Sequence, residues 1–496
     1  MYDAGIRLLH VGINSACPLP SVPTFCRWRS PSGNDLLLVY QKDYGEDEVL
    51  PDGKTVVSIN FTGDNHGPHS YERVKKIYAD LRKRYPQAQL VGASFNDVAR
   101  ELLLIKKDLP VVTSEIGDTW IFGYGGAPIR MAKFRAVSRL YSQWLNEGKI
   151  KKDSDVALDF AAELGLIAEH TQGVDVKTHL RQWDKYDMDK FLKGRSEGVF
   201  SMAEASWKEI DNYIDSAIAF LPASLQKEAR EVVAEVDKVK LEDNSKMKPM
   251  ARKRWEQPIA GGMTLAGLSY QMFDGDDYDD FQNRYLRARY EWALDDLGKR
   301  GLKESHAVSV TLYAQTMAQS VRKEKKGTRI ITELRFPENE KVDKRVYPER
   351  IQVNCFTTKN GKRSEVALTI YGKPAVRLPE SYWLSFTVPG IELVIAEKMG
   401  ERVNLMDVVE KGNRQMHGID RYVDLITSGE TIRISSKEAF LLNVGEAQGL
   451  NYSTNYPDKR KGVHFNLNNN LWGTNFSMWN EGSLTYHFVI ETLSRK

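Results

Sequence analysis

Hydrophobic spacing changes character twice along this chain, and that change limits what it can fold into. In the first 125 residues, short apolar runs at 5–14, 35–41, 55–61, 89–93 and 109–113 read as strands. Between them lie stretches of helical spacing, one over 71–85 and one carried by Phe95, Val98, Leu102 and Ile105, which Ser94 and Asp97 open as a capping box. Strands separated by helices predict βαβ units and a parallel sheet. From about 129 to 304 the spacing turns helical. Phe134, Val137, Tyr141 and Trp144 form one stripe, Trp207, Ile210, Ile214 and Ala217 a second, and Phe281, Tyr285, Ala288 and Trp292 a third. Ser201 with Glu204 reads as a capping box and Gly298 as a C-cap. Beyond 305, short β-rich runs alternate with Asn360-Gly361, Pro389-Gly390 and Ser428-Gly429, the pattern of an antiparallel sandwich. The expected fold is α/β plus all-β, in three blocks: 1–128, 129–304 and 305–496.

Such a division suits 496 residues, too many for one compact core. The balance of 70 basic against 67 acidic residues gives nothing that would draw the chain to nucleic acid. No apolar run reaches the ~20 residues of a membrane helix, and the opening MYDAGIRLLH lacks the regions of a signal peptide, so the expected location is cytoplasmic. Cys17, Cys26 and Cys355 fit neither a disulfide framework nor a zinc site and read as reduced thiols.

Three polar clusters each follow a strand-like or apolar run. Asp64, Asn65 and His66 lie in a turn bounded by Gly63 and Pro68. A carboxyl held there can act as a general acid in a partly dry site, or can cap the helix near Tyr71. Glu115 and Asp118 precede Trp120. Carboxylates beside a tryptophan suit a sugar, with the ring on its apolar face and the acids on its hydroxyls; equally, Trp120 packs and Asp118 caps. His170 stands between Glu169 and Thr171, and alone it defines no metal site, because a catalytic zinc takes about three protein ligands. The acidic run Asp274, Asp276, Asp277, Asp279 and Asp280 fails the calcium-loop pattern and suits a helix N-terminus instead.

Seven stretches carry a family resemblance: FTGDNHGP, LPVVTSEIGDTWIFG, AEHTQGVDVK, YQMFDGDDYDDF, KPAVRLPESYWLSF, KGNRQMHG and HFNLNNNLWGTNFSMW. In this order they resemble glycoside hydrolase family 38, the zinc-dependent α-mannosidases, and more closely a group of uncharacterised relatives of those enzymes. The resemblance implies a (β/α)7-type barrel, present here in part, then a helical bundle and a β-sandwich. It implies a carbohydrate partner, Asp64 as the catalytic acid/base and His170 as a ligand of Zn2+. The polar clusters themselves place Asn65, His66, Glu115, Asp118 and Trp120 as the expected substrate-binding residues. The family's His-x-Asp zinc ligands and nucleophilic aspartate fall upstream of the point matching Gly5. The chain is therefore expected to lack an opening segment, with zinc occupancy and glycosidase activity low. A non-catalytic carbohydrate-binding remnant is the alternative.

Overall fold

The computed structural model describes residues 1–63, 66–117, 120–243, 245 and 247–493. They divide into two units: one of residues 1–117 with Tyr285–Arg289 and Asp407–Gly412, the other of the remainder.

The first unit is built on a four-stranded sheet in the order Leu8–Gly12, Asp35–Gln41, Phe25–Arg29, Val111–Val112. Its outer pairings are parallel, but Phe25–Arg29 and Asp35–Gln41 run antiparallel, so the expected all-parallel layer is corrected to a mixed sheet. Phe25–Arg29 is hard to read as a strand because Arg27 and Arg29 interrupt its apolar residues. Both reach Asp35 on the neighbouring strand, at 3.4 and 2.7 Å. The expected strand at 55–61 shrinks to Val56–Ser58, paired with Asp47–Val49, and 89–93 is not a strand. Helices Tyr71–Arg84 and Phe95–Leu104 follow, the second with the Ser94–Asp97 capping box in place. Phe25, Leu37, Val39, Leu50, Val57, Leu102 and Leu109 close the core.

In the second unit the helical stripes are core-facing. Val137 and Trp144 of Pro128–Asn146 and Ile214 and Ala217 of Ser201–Ala219 are buried together, with Phe134 and Tyr141 packed against them. Ser201 lies inside its helix and makes no cap. Glu204 instead accepts hydrogen bonds from Arg195 and Trp479. The helical reading of 129–304 also needs correction: Thr264–Met272 is a buried strand, and the third stripe is cut into Gly275–Tyr285 and Glu291–Asp296. Asp274 starts the former by accepting from the backbone N–H groups of Asp276 and Asp277 at 3.0 and 3.1 Å. The acidic run thus sits at a helix N-terminus and suits its dipole as expected, but the helix starts at Gly275, not near Asp280, so most of the run lies inside its first turns.

Residues beyond 305 are β-rich. Together with 248–272 they form a seven-stranded and a ten-stranded sheet, paired antiparallel throughout. The sheets meet face to face where Phe386 and Phe465 of one pack against Phe488 of the other, with ring centroids 5.4 and 5.1 Å apart. This is sandwich packing, two inner faces interdigitating. The core also holds an ion pair, Lys373 to Glu380 at 2.6 Å, with side chains 5% and 1% exposed. The three cysteines are free and buried. Among the described residues no helix is long and apolar enough to cross a membrane.

Candidate functional site

The segment Trp120–Gly126 is a run of 3-10 turns placed by its glycines. A β-carbon on Gly123 would overlap the ring of Phe476, and one on Gly125 would overlap the Asn469 amide. Bare backbone lets this segment lie directly on the strand Val463–Asn469 and the loop after it. There Asn469 Nδ2 donates to the Phe122 carbonyl at 3.0 Å, and Asn480 Nδ2 to that of Gly126 at 3.1 Å. Asn470, also buried, accepts from the Glu380 N–H at 2.7 Å and donates to the Met478 carbonyl at 3.0 Å. These asparagines, Asn469 and Asn470 buried and Asn480 half-buried, do the work of a ladder for chain that is not a strand, satisfying carbonyls that burial would otherwise leave unpaired.

A third stretch joins them. Gln172 donates its backbone N–H to the Asn475 carbonyl at 2.5 Å, and its side-chain oxygen accepts from Arg130 at 2.7 Å. Tyr124 donates to the Ala168 carbonyl at 2.7 Å, and burial pushes its phenol up to about 12, with the charge of Glu169 adding to the effect. Three stretches far apart in sequence, 120–126, 168–175 and 466–480, thus share one small region.

Its outer edge is aromatic. The ring centroids of Trp120 and Trp472 lie 5.3 Å apart, and the imidazole of His170 meets Trp120 edge-on at 6.0 Å. Trp472 is buried, Trp120 half-buried and His170 exposed. His170 Nδ1 sits 2.5 Å from one oxygen of Glu169, whose other oxygen accepts the Thr171 N–H at 2.6 Å. The carboxylate therefore fixes the imidazole orientation, and the arrangement offers a flat apolar face bordered by a donor and an acceptor. Trp472 carries no role in a reading of spacing alone; its place in the NNNLWG stretch is the one signal in the sequence.

Beneath Trp472, the Lys299 amine donates to the Trp472 carbonyl at 3.3 Å and to the Met478 sulfur at 3.1 Å. Lys299 is only partly covered as a residue, yet its amine is desolvated. Burial, with Arg377 nearby, brings it down to about 7. Between pH 7 and about 10 the unfolded chain then carries a proton that the folded chain lacks. Stability should rise with pH across that window, by up to ~1.4 kcal/mol per unit, the penalty being complete below 7 and gone above the ordinary lysine value. Urea unfolding at pH 7, 8 and 9 should show a flatter dependence for Lys299→Met than for the wild type. Equal slopes would mean that the amine is solvated.

Of the residues expected at a site, the structure brings together Trp120 and His170. Asp64, Asn65 and Asp118 lie outside the described residues. His66 is exposed in the other unit. Glu115 belongs there too, and its backbone bridges the 407–409 segment: its N–H donates to Asp407 at 3.0 Å and its carbonyl accepts from Val409 at 2.8 Å. For zinc, His170 and Glu169 provide two donors. Among the described residues no group of three or more His, Cys, Asp or Glu gathers to hold a metal. That donor set falls short of the three protein ligands of a catalytic zinc, and no chemical step is assigned through the ion.

Residues 125–257 match the model of a domain of unknown function, DUF5054. No curated protein sequence matches the chain. Among solved structures, the chain is similar to an α-mannosidase from Enterococcus faecalis V583, with a TM-score of 0.47 and 8% identity over 99% of this chain and 71% of that one. It is similar as well to a glycosyl hydrolase family 38 protein from Enterococcus faecalis, with a TM-score of 0.44 and 10% identity over 100% and 71%. A putative aldose 1-epimerase from Escherichia coli K12 matches 36% of this chain and 69% of its own, with a TM-score of 0.20 and 11% identity.

Proposed function

We propose that this protein is a glycoside-hydrolase-like protein of the α-mannosidase class that engages a carbohydrate at the Trp120–His170–Trp472 edge. One observation carries the reading: three stretches that resemble the family in sequence, far apart along the chain, supply the two tryptophans and the imidazole–carboxylate pair of one small region. A tryptophan face takes the apolar side of a pyranose, while His170 and Glu169 are placed to exchange hydrogen bonds with hydroxyls. By the resemblance, Asp64 is the proton donor to the leaving oxygen and His170 a metal ligand. Retaining hydrolysis needs a second carboxylate about 5 Å from the first, and the resemblance assigns none in this chain. Non-catalytic carbohydrate binding is the second reading. It is favoured by the make-up of the described cluster, which is a set of ring faces and hydrogen-bonding groups.

Calorimetric titration with α-linked mannobiose separates these readings. Trp120→Ala should weaken binding at least tenfold, a loss of ~1.4 kcal/mol, with the fold intact by circular dichroism. Turnover of 4-nitrophenyl α-mannoside that drops about 100-fold in Asp64→Asn, as loss of a general acid does, favours the enzyme. Binding without turnover favours the second reading, and wild-type affinity in Trp120→Ala would remove Trp120 from the site.

A further inference from the structure

A cavity of about 440 Å³ opens beside the start of the Pro128–Asn146 helix, walled by Ser201–Ala219 and by residues 477–481. This volume is within the range of small-molecule sites. Nothing in the reading above uses it.

Its chemistry is specific. Trp207 and Trp479 line it, with ring centroids 4.7 Å apart. Four basic and four acidic side chains line it too, so it holds many charges and no net charge. That balance disfavours phosphate or any other strongly charged ligand, because Arg130, Arg195 and Lys133 are already paired with carboxylates and would have to give them up.

Two of the carboxylates, Asp211 and Glu204, are tied down on one side only. Arg130, itself 5% exposed, grips Asp211 through Oδ1 at 2.6 Å and is held in turn by Gln172 and the Trp207 carbonyl. Arg195 and the indole of Trp479 both bond Glu204 through Oε1, at 2.8 and 3.0 Å. Arg195 also holds Glu481 through both oxygens, at 2.7 and 3.0 Å. Asp211 Oδ2 and Glu204 Oε2 take no hydrogen bond from the described residues, so two acceptors are positioned and open. On the same helix face, one turn apart, Lys208 and Asn212 are exposed and make no hydrogen bond or ion pair within the described residues. Fixed acceptors, free donors and zero net charge together match a ligand whose every polar group both donates and accepts. Hydroxyl groups are that kind of group.

We infer that this cavity is a binding site for a neutral polyhydroxylated ligand, a mono- or disaccharide, independent of the Trp120 edge. The inference does not rest on the proposed function: either site can fail without the other.

The test uses saturation-transfer NMR and calorimetry on the full chain with four neutral disaccharides (α-mannobiose, maltose, cellobiose and lactose) and with mannose 6-phosphate. Four proteins are compared: wild type, Trp120→Ala, a cavity-filling variant Asn212→Trp, and the rim double variant Lys208→Ala/Asn212→Ala, whose exposed positions should leave folding intact. Binding of at least one disaccharide that persists in Trp120→Ala and weakens fivefold or more in the rim variant supports the inference. The cavity-filling variant should abolish the same signal. The inference is overturned by any of three results: no disaccharide bound by Trp120→Ala, affinity untouched in both the rim and the filling variants, or mannose 6-phosphate bound more tightly than every disaccharide.

Discussion

Lys373→Met should cost about 3–5 kcal/mol of stability, the usual loss when one member of a buried ion pair is removed. The pair joins the end of strand Arg363–Lys373 to the start of Glu380–Thr387 inside the sandwich. Its geometry is well satisfied: Tyr270 donates to the second oxygen of Glu380 at 2.9 Å, and the ammonium also reaches the carbonyls of Pro374 and Asn480, each at 3.0 Å. Without the lysine, a carboxylate 1% exposed keeps one hydroxyl donor and no counter-charge. Most of the cost is the stranded charge and not the lost attraction, so Lys373→Met with Glu380→Gln should recover at least half of it. Urea unfolding of the four proteins gives the coupling directly. A single variant within 1 kcal/mol of wild type would mean that water already reaches the pair.

A second large effect is expected from the smallest possible change. Gly123→Ala adds one methyl group where the ring of Phe476 lies, and Asn469 pins the Phe122 carbonyl alongside. A packed interior accommodates such an addition only by moving backbone or leaving rotamer wells, at about 1–3 kcal/mol and occasionally more. Here the aromatic ring is rigid and the backbone is tied, so about 3 kcal/mol is expected by urea unfolding. Trp120 is three residues away, so mannobiose affinity should fall as well. Phe476→Leu in the alanine background, which removes the clashing ring edge, should restore part of both. If alanine alone leaves stability unchanged, the segment does not lie on the strand as described.

These positions show what can be read from a chain before its structure is seen. Helical stripes are legible because one surface sets their period; Val137 and Trp144, Ile214 and Ala217 all turn inward as their spacing requires. Local caps are legible where the serine is the residue just ahead of the helix, as Ser94 is before Phe95–Leu104. The same pattern at Ser201 and Glu204 gives no cap, because Ser201 is already the first helical residue and Phe200 takes the cap position. Thr264–Met272 escapes notice as a strand because it stands among helices and finds its partners at Val310–Tyr313 and Glu380–Thr387. Pairing across such distances leaves no local trace. The candidate site divides the same way. Trp120 and His170 stand out from their neighbours, whereas Trp472 gains meaning only from contacts that spacing does not encode.

The meeting of Trp120 with Trp472 has a consequence in time. The two rings are separated by most of the chain, and the asparagines that seat the first segment arrive with the second. At ~5–20 residues per second, a ribosome needs roughly 20–70 s between making one and making the other. Throughout that interval the stretch WIFGYGG has no surface to lie on, and its apolar side chains remain exposed to whatever else is in solution. The edge can therefore assemble only after residue 472 has been made, and a nascent chain stalled before residue 463 should be a client for chaperones rather than a binder of sugar.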